Sequence, residues 1–136
     1  MRHPLHPALV HFPVACWSLA TLADFASFHF GEAAWRSGGQ LLITGTLLSI
    51  PALLAGFYEL KRVADDSPAM RDVYRHMGAM SGALLLYSAS LLLRLDRTSL
   101  IAPGIAALAC SAFGFFALAI GGWIGGKLVY GHGLGR

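Results

Sequence analysis

Charge is what this 136-residue sequence has least of. Only 12% of its residues are Asp, Glu, Lys or Arg, while 56% are hydrophobic, and soluble domains usually carry about a quarter charged residues. A chain so poor in charge cannot cover a water-facing surface, and a bilayer is the solvent it fits. Cysteine is scarce too. Cys16 and Cys110 fall on helices expected to run in opposite directions, so they read as small core residues rather than a disulfide. Long polar linkers are missing, which leaves one compact unit over residues 1–136. No basic n-region or cleavage site marks the first helix as a leader. No nucleophile elbow, phosphate loop or paired carboxylate at workable depth argues for a hydrolase. The net charge of +3 comes from loop Lys and Arg and does not imply a nucleic-acid partner.

What the sequence does have is four apolar runs, at about 8–28, 41–60, 73–93 and 101–130. Each is close to the roughly 20 residues that cross a hydrocarbon core of about 30 Å. The expected fold is an all-α, integral membrane four-helix bundle with N and C termini on the same side. That terminal side carries Arg2, Lys61, Arg62, Arg71, Arg75, Lys127 and Arg136, and the other side only Arg36, Arg94 and Arg97. The asymmetry predicts cytoplasmic termini.

The segment HPLHPALVHFPVACW raises the functional question, because it crowds histidines and prolines at the threshold of an apolar helix. On the expected topology His6 and His11 enter the first helix, His76 opens the third and His132 follows the fourth. All four fall at one membrane face, where Glu59 at the end of the second helix joins them. On the opposite side there is only His29. Pro13 should free the Leu9 carbonyl and bend the helix near His11, and a freed carbonyl can orient an imidazole N–H. Pro51 interrupts the second helix in the same way. Glycines spaced by four, Gly121 with Gly125, Gly122 with Gly126, and Gly78 with Gly82, make smooth faces for another helix, within the chain or in a homo-oligomer. Met80, four residues after His76, is core or a soft ligand. Asp24, a carboxylate inside the first apolar run, should face the bundle and pair with Arg94 or Arg97.

HPLHPALVHFPVA, AGFYEL, RHMGAM and GGWIGGKLVYGHGLG together resemble the bacterial membrane family labelled domain of unknown function 2231, over the whole chain. The resemblance implies a multi-pass protein of the bacterial inner (cytoplasmic) membrane. It singles out His6, His11, His76 and His132, with a carboxylate after Gly56, here Glu59. Members occur beside cytochromes and iron–sulfur modules, which implies electron transfer rather than a stand-alone enzyme. Two cofactor readings follow. One is haem b with His11 and His76 as axial ligands from diagonal helices, His6 and His132 serving a second haem or the propionates, and Arg75 and Lys127 neutralising propionates, in exchange with a quinone or a cytochrome or iron–sulfur partner. The other is a non-haem zinc, copper or iron site built from His6, His11, His76, His132 and Glu59. A structural or assembly subunit without cofactor is the remaining alternative.

Overall fold

The computed structural model describes residues 5–134; Arg2, His3 and Arg136 lie outside them. Four helices, α1 (Leu5–Phe30), α2 (Glu32–Leu60), α3 (Met70–Leu92) and α4 (Ile105–Tyr130), form an all-α bundle. Three of them, α1, α2 and α4, are long and apolar enough to cross a membrane by length and composition. The third helix is less apolar than its run of leucines suggests, because Arg71, Asp72, Arg75 and His76 occupy its first turns.

The boundaries differ from the apolar runs where backbone geometry overrides hydropathy. Helix α1 ends at Phe30 because Gly31 adopts φ 61°, a left-handed conformation that glycine enters without a Cβ clash. The next helix then starts at Glu32, well before the apolar run, and carries Arg36 bonded to Glu32 at 2.6 Å along its exposed first turns. The fourth helix starts at Ile105 rather than 101. Before it the chain forms a small antiparallel hairpin, β1 (Leu95–Asp96) with β2 (Ser99–Leu100), turned through Arg97 at φ 56°. Helix α1 continues through Pro13 and α2 through Pro51.

The helices pair closely as α1 with α2 and as α3 with α4, and the two pairs meet along a looser seam. Glycines permit the tight approach. A Cβ at Gly45 would come within 2.8 Å of the Trp17 indole, one at Gly38 within 3.2 Å of the Asp24 carboxylate, and one at Gly114 within 3.2 Å of the Tyr87 ring. By contrast Gly78, Gly82, Gly122 and Gly126 meet nothing within 4 Å in this chain. Of the four α4 glycines expected to lie against a helix, only Gly121 and Gly125 do so inside the bundle.

Polarity is inverted relative to a soluble domain. Leu22, Phe25, Leu54, Leu85, Phe116 and Trp123 are exposed, while Thr21, Ser49, Ser90 and Ser111 are buried. Such a distribution suits lipid outside and close backbone contact inside. At the core Trp17 stacks on Tyr87, centroids 5.0 Å apart and 12° from parallel. Below that stack Arg94 forks onto Asp24, with NH1 to Oδ1 at 2.7 Å and NH2 to Oδ2 at 2.9 Å. Both side chains are buried, at 0% and 3% exposure. The pairing expected for Asp24 is therefore with Arg94, and Ser90 and Ser111 bond the same guanidinium.

Removing one member of a buried pair strands the other charge, which typically costs about 3–5 kcal/mol. Asp24→Ala should therefore lower thermal stability in detergent far more than Arg36→Ala, whose ion pair is exposed. Equal effects would contradict the buried pairing. A second comparison tests the packing. Gly45→Ala should destabilise the protein because the stacked indole cannot yield, whereas Gly82→Ala should leave its melting temperature within the scatter of replicate scans.

Candidate functional site

The start of α1, the end of α2, the start of α3 and the end of α4 meet at one end of the bundle, around a cavity of about 680 Å³. Its volume lies within the roughly 300–1,000 Å³ usual for small-molecule and cofactor sites. The walls are largely apolar, and Trp17 lines the cavity beside the aromatic stack.

Two histidines face each other across the seam. His6 on α1 and His76 on α3 place their ring centroids 6.2 Å apart with planes at 86°. The His6 Nδ1–H donates to the Ala52 carbonyl at 2.7 Å, and the His76 Nδ1–H donates to the Gly121 carbonyl at 2.8 Å. A carbonyl can only accept, so either ring, when neutral, holds its proton on Nδ1 and keeps the lone pair of Nε2. This is the arrangement in which an imidazole is oriented and made more basic for ligation. The orienting carbonyls belong to Ala52 and Gly121 on the neighbouring helices, not to Leu9 ahead of Pro13.

The other expected site residues are placed differently. His11 lines the cavity but is exposed and makes no hydrogen bond with another described residue, and the imidazole brought to His76 is that of His6. Glu59 accepts the backbone N–H of His6 at 3.1 Å and so caps the start of α1 from the end of α2. His132, Lys127 and Arg75 converge on Asp72, in the first turn of α3, a residue that no motif in the sequence marks. Lys127 Nζ lies 2.7 Å from Asp72 Oδ2, His132 Nε2 donates to the same oxygen at 3.1 Å, and Arg75 stands 3.8 Å from Oδ1. Gly133, at φ 69°, turns the chain after α4 so that the Leu134 N–H reaches the Leu128 carbonyl at 3.0 Å. Leu134 then packs over the cavity beside Leu60, Val63 and Leu128.

Among the described residues no group of three or more His, Cys, Asp or Glu side chains is close enough together to hold a metal ion. The five-residue cluster of His6, His11, His76, His132 and Glu59 is thus divided into a facing pair, an edge residue, a cap and an Asp72 partner. Met80 is the additional neighbour of the pair. Its sulfur lies where a Cβ on Gly121 would come within 2.6 Å, and it lines the cavity.

An apolar exterior, a small-residue core and a largely apolar cavity holding two histidines at one end define a membrane protein of helix-bundle type. The chain belongs to the family of predicted membrane proteins labelled domain of unknown function 2231, whose model matches residues 2–136. Neither a curated protein nor a solved structure matches it.

The division of roles has a direct test. If His132 is held by Asp72, Asp72→Asn should loosen the turn after α4 and speed amide exchange at Leu134, with little change at the Trp17–Tyr87 core. Exchange as slow as in the unaltered chain would mean that the Asp72 contacts do not hold that turn.

Proposed function

We propose that this chain is a small membrane haem b protein whose iron His6 and His76 would hold, exchanging electrons with a quinone or with a cytochrome or iron–sulfur partner. The observation that supports the reading is the pair itself: two imidazoles from opposite helix pairs, centroids 6.2 Å apart, each with Nδ1 committed to a carbonyl. A single ion bonded at about 2 Å to each Nε2 fits a ring separation of this size. The apolar cavity of about 680 Å³ around the pair offers room for a cofactor. Haem, when bound, supplies one-electron chemistry at a potential tuned by its ligands and surroundings. The protein's own part is to hold the two rings, fix their tautomers and keep water from the inner wall at Trp17. Asp72 engages Arg75 and Lys127, so Arg62, a cation in the cavity lining, replaces them as the partner offered to a propionate.

A visible spectrum of the detergent-purified chain, expressed with ample haem and reduced with dithionite, tests this. Reduced b-type bands should appear, and His6→Ala or His76→Ala should abolish or strongly shift them, while His29→Ala leaves them unchanged. A colourless protein carrying stoichiometric zinc or copper would replace haem by a non-haem site on the same two imidazoles. A colourless protein without metal would leave a structural subunit.

The orientation proposed is cytoplasmic for the end that carries the cavity, in a bacterial inner membrane, because the Lys and Arg excess lies there. Reporters fused to the C terminus should be active only if they function in the cytoplasm. Activity of a periplasm-dependent reporter would reverse the orientation.

A further inference from the structure

The two helix pairs share a pattern of buried positions that extends to single residues. In the first helices four of the five buried α1 positions have buried counterparts in or just after α3 at a constant offset: Pro13 with Ala83, Trp17 with Tyr87, Ala20 with Ser90, and Asp24 with Arg94. In the second helices Gly38 corresponds to Ala107, Leu42 to Ser111, Gly45 to Gly114, Ser49 to Leu118 and Ala52 to Gly121. Every one of these positions is buried. Moreover, corresponding residues of the first helices meet each other: Trp17 stacks on Tyr87, Asp24 pairs with Arg94, and His6 faces His76. Contact between equivalent residues is what a two-fold axis produces, and here the axis runs along the bundle, as for parallel repeats in membrane proteins.

The correspondence also covers how the histidines are seated. His6 bonds the carbonyl of Ala52, and its ring lies over Gly56, four residues on, where a Cβ would come within 2.9 Å of Nδ1. His76 bonds the carbonyl of Gly121, and its ring lies over Gly125, again four residues on, where a Cβ would come within 3.1 Å of Cε1. In a helix the carbonyl of one residue already accepts from the N–H four residues later. A side chain at that later residue would stand where an imidazole approaches, and glycine leaves the approach open. Gly45 and Gly114 repeat the device one level deeper, under Trp17 and Tyr87.

We infer that the chain is two equivalent helical hairpins related by an axial two-fold, and that Gly56 and Gly125 are positioning residues that seat His6 and His76 as a matched, Nδ1-protonated pair on that axis. The inference deepens the histidine-pair reading but needs no haem. The seats set the tautomer and direction of the rings before any ligand arrives, so a ligand on the axis receives one equivalent nitrogen from each hairpin.

The test uses the full chain, labelled with ¹⁵N-histidine, in lipid nanodiscs without added haem, at a pH where the imidazoles are neutral. Signals are assigned with His6→Gln and His76→Gln. Both rings should show a protonated Nδ1 and an unprotonated Nε2. Gly56→Ala should move the His6 resonances and leave those of His76 in place, and Gly125→Ala should do the reverse. Either ring found as the Nε2–H tautomer in the unaltered chain overturns the inference, and this measurement decides the matter even where an alanine variant does not fold. A folded variant whose own histidine does not move overturns it as well. Both tautomers as stated in a chain that never takes up haem would remove the haem reading and leave the seats standing.

Discussion

A polar group inside this bundle has no water to turn to, and the architecture follows from where each one finds its partner. The Asp24–Arg94 fork is the most demanding case, because two formal charges are buried together and neither is tolerable alone. Ser90, Ser111, Thr21 and Tyr87 extend the hydrogen bonding from that fork toward the aromatic stack. Among the described residues no buried side-chain nitrogen or oxygen lacks a partner. One end of the seam between the helix pairs is thereby fixed. The other end has no such lock and opens around two histidines whose Nε2 atoms make no bond.

Small residues make this division workable. Glycine on α2 and α4 brings each helix pair close enough for carbonyls to reach imidazoles, so the atoms that pack the hairpins also orient the site. The same economy explains why bulky side chains lie outside. Leucine and phenylalanine gain little from burial when the solvent is lipid, so many of them, such as Leu22, Phe25, Leu54, Leu85 and Phe116, face outward.

Much of this was legible in the sequence. Four apolar runs fixed the number of helices, and the depth of Asp24 demanded a cation, found in Arg94. The structure gathers His6, His11, His76 and Glu59 at the end of the bundle where the sequence groups them, and it brings His6 rather than His11 to His76, as helical phase dictates. The buried positions Pro13, Trp17, Ala20 and Asp24 recur at three- and four-residue steps, and carrying that stripe back reaches His6 and leaves His11 outside. The same stripe on α3 reaches His76. Asp72 draws Lys127, Arg75 and His132 together, and which charge in a loop-rich region attracts its neighbours depends on the turn after α4. The helix starts at Glu32 and Ile105 were hidden because hydropathy says nothing about backbone conformation at Gly31 and Arg97.

In the proposed haem protein His6 and His76 act together, on one axis, as ligands from opposite hairpins. Electron paramagnetic resonance of the ferric, haem-loaded full chain addresses this most directly, because the low-spin signal reports both the number of imidazole ligands and the angle between their planes. Rings held near 86° predict the strongly anisotropic low-spin signal that perpendicular imidazoles give. A high-spin signal from iron with a single protein ligand, or a low-spin signal that persists in His6→Ala, would contradict it.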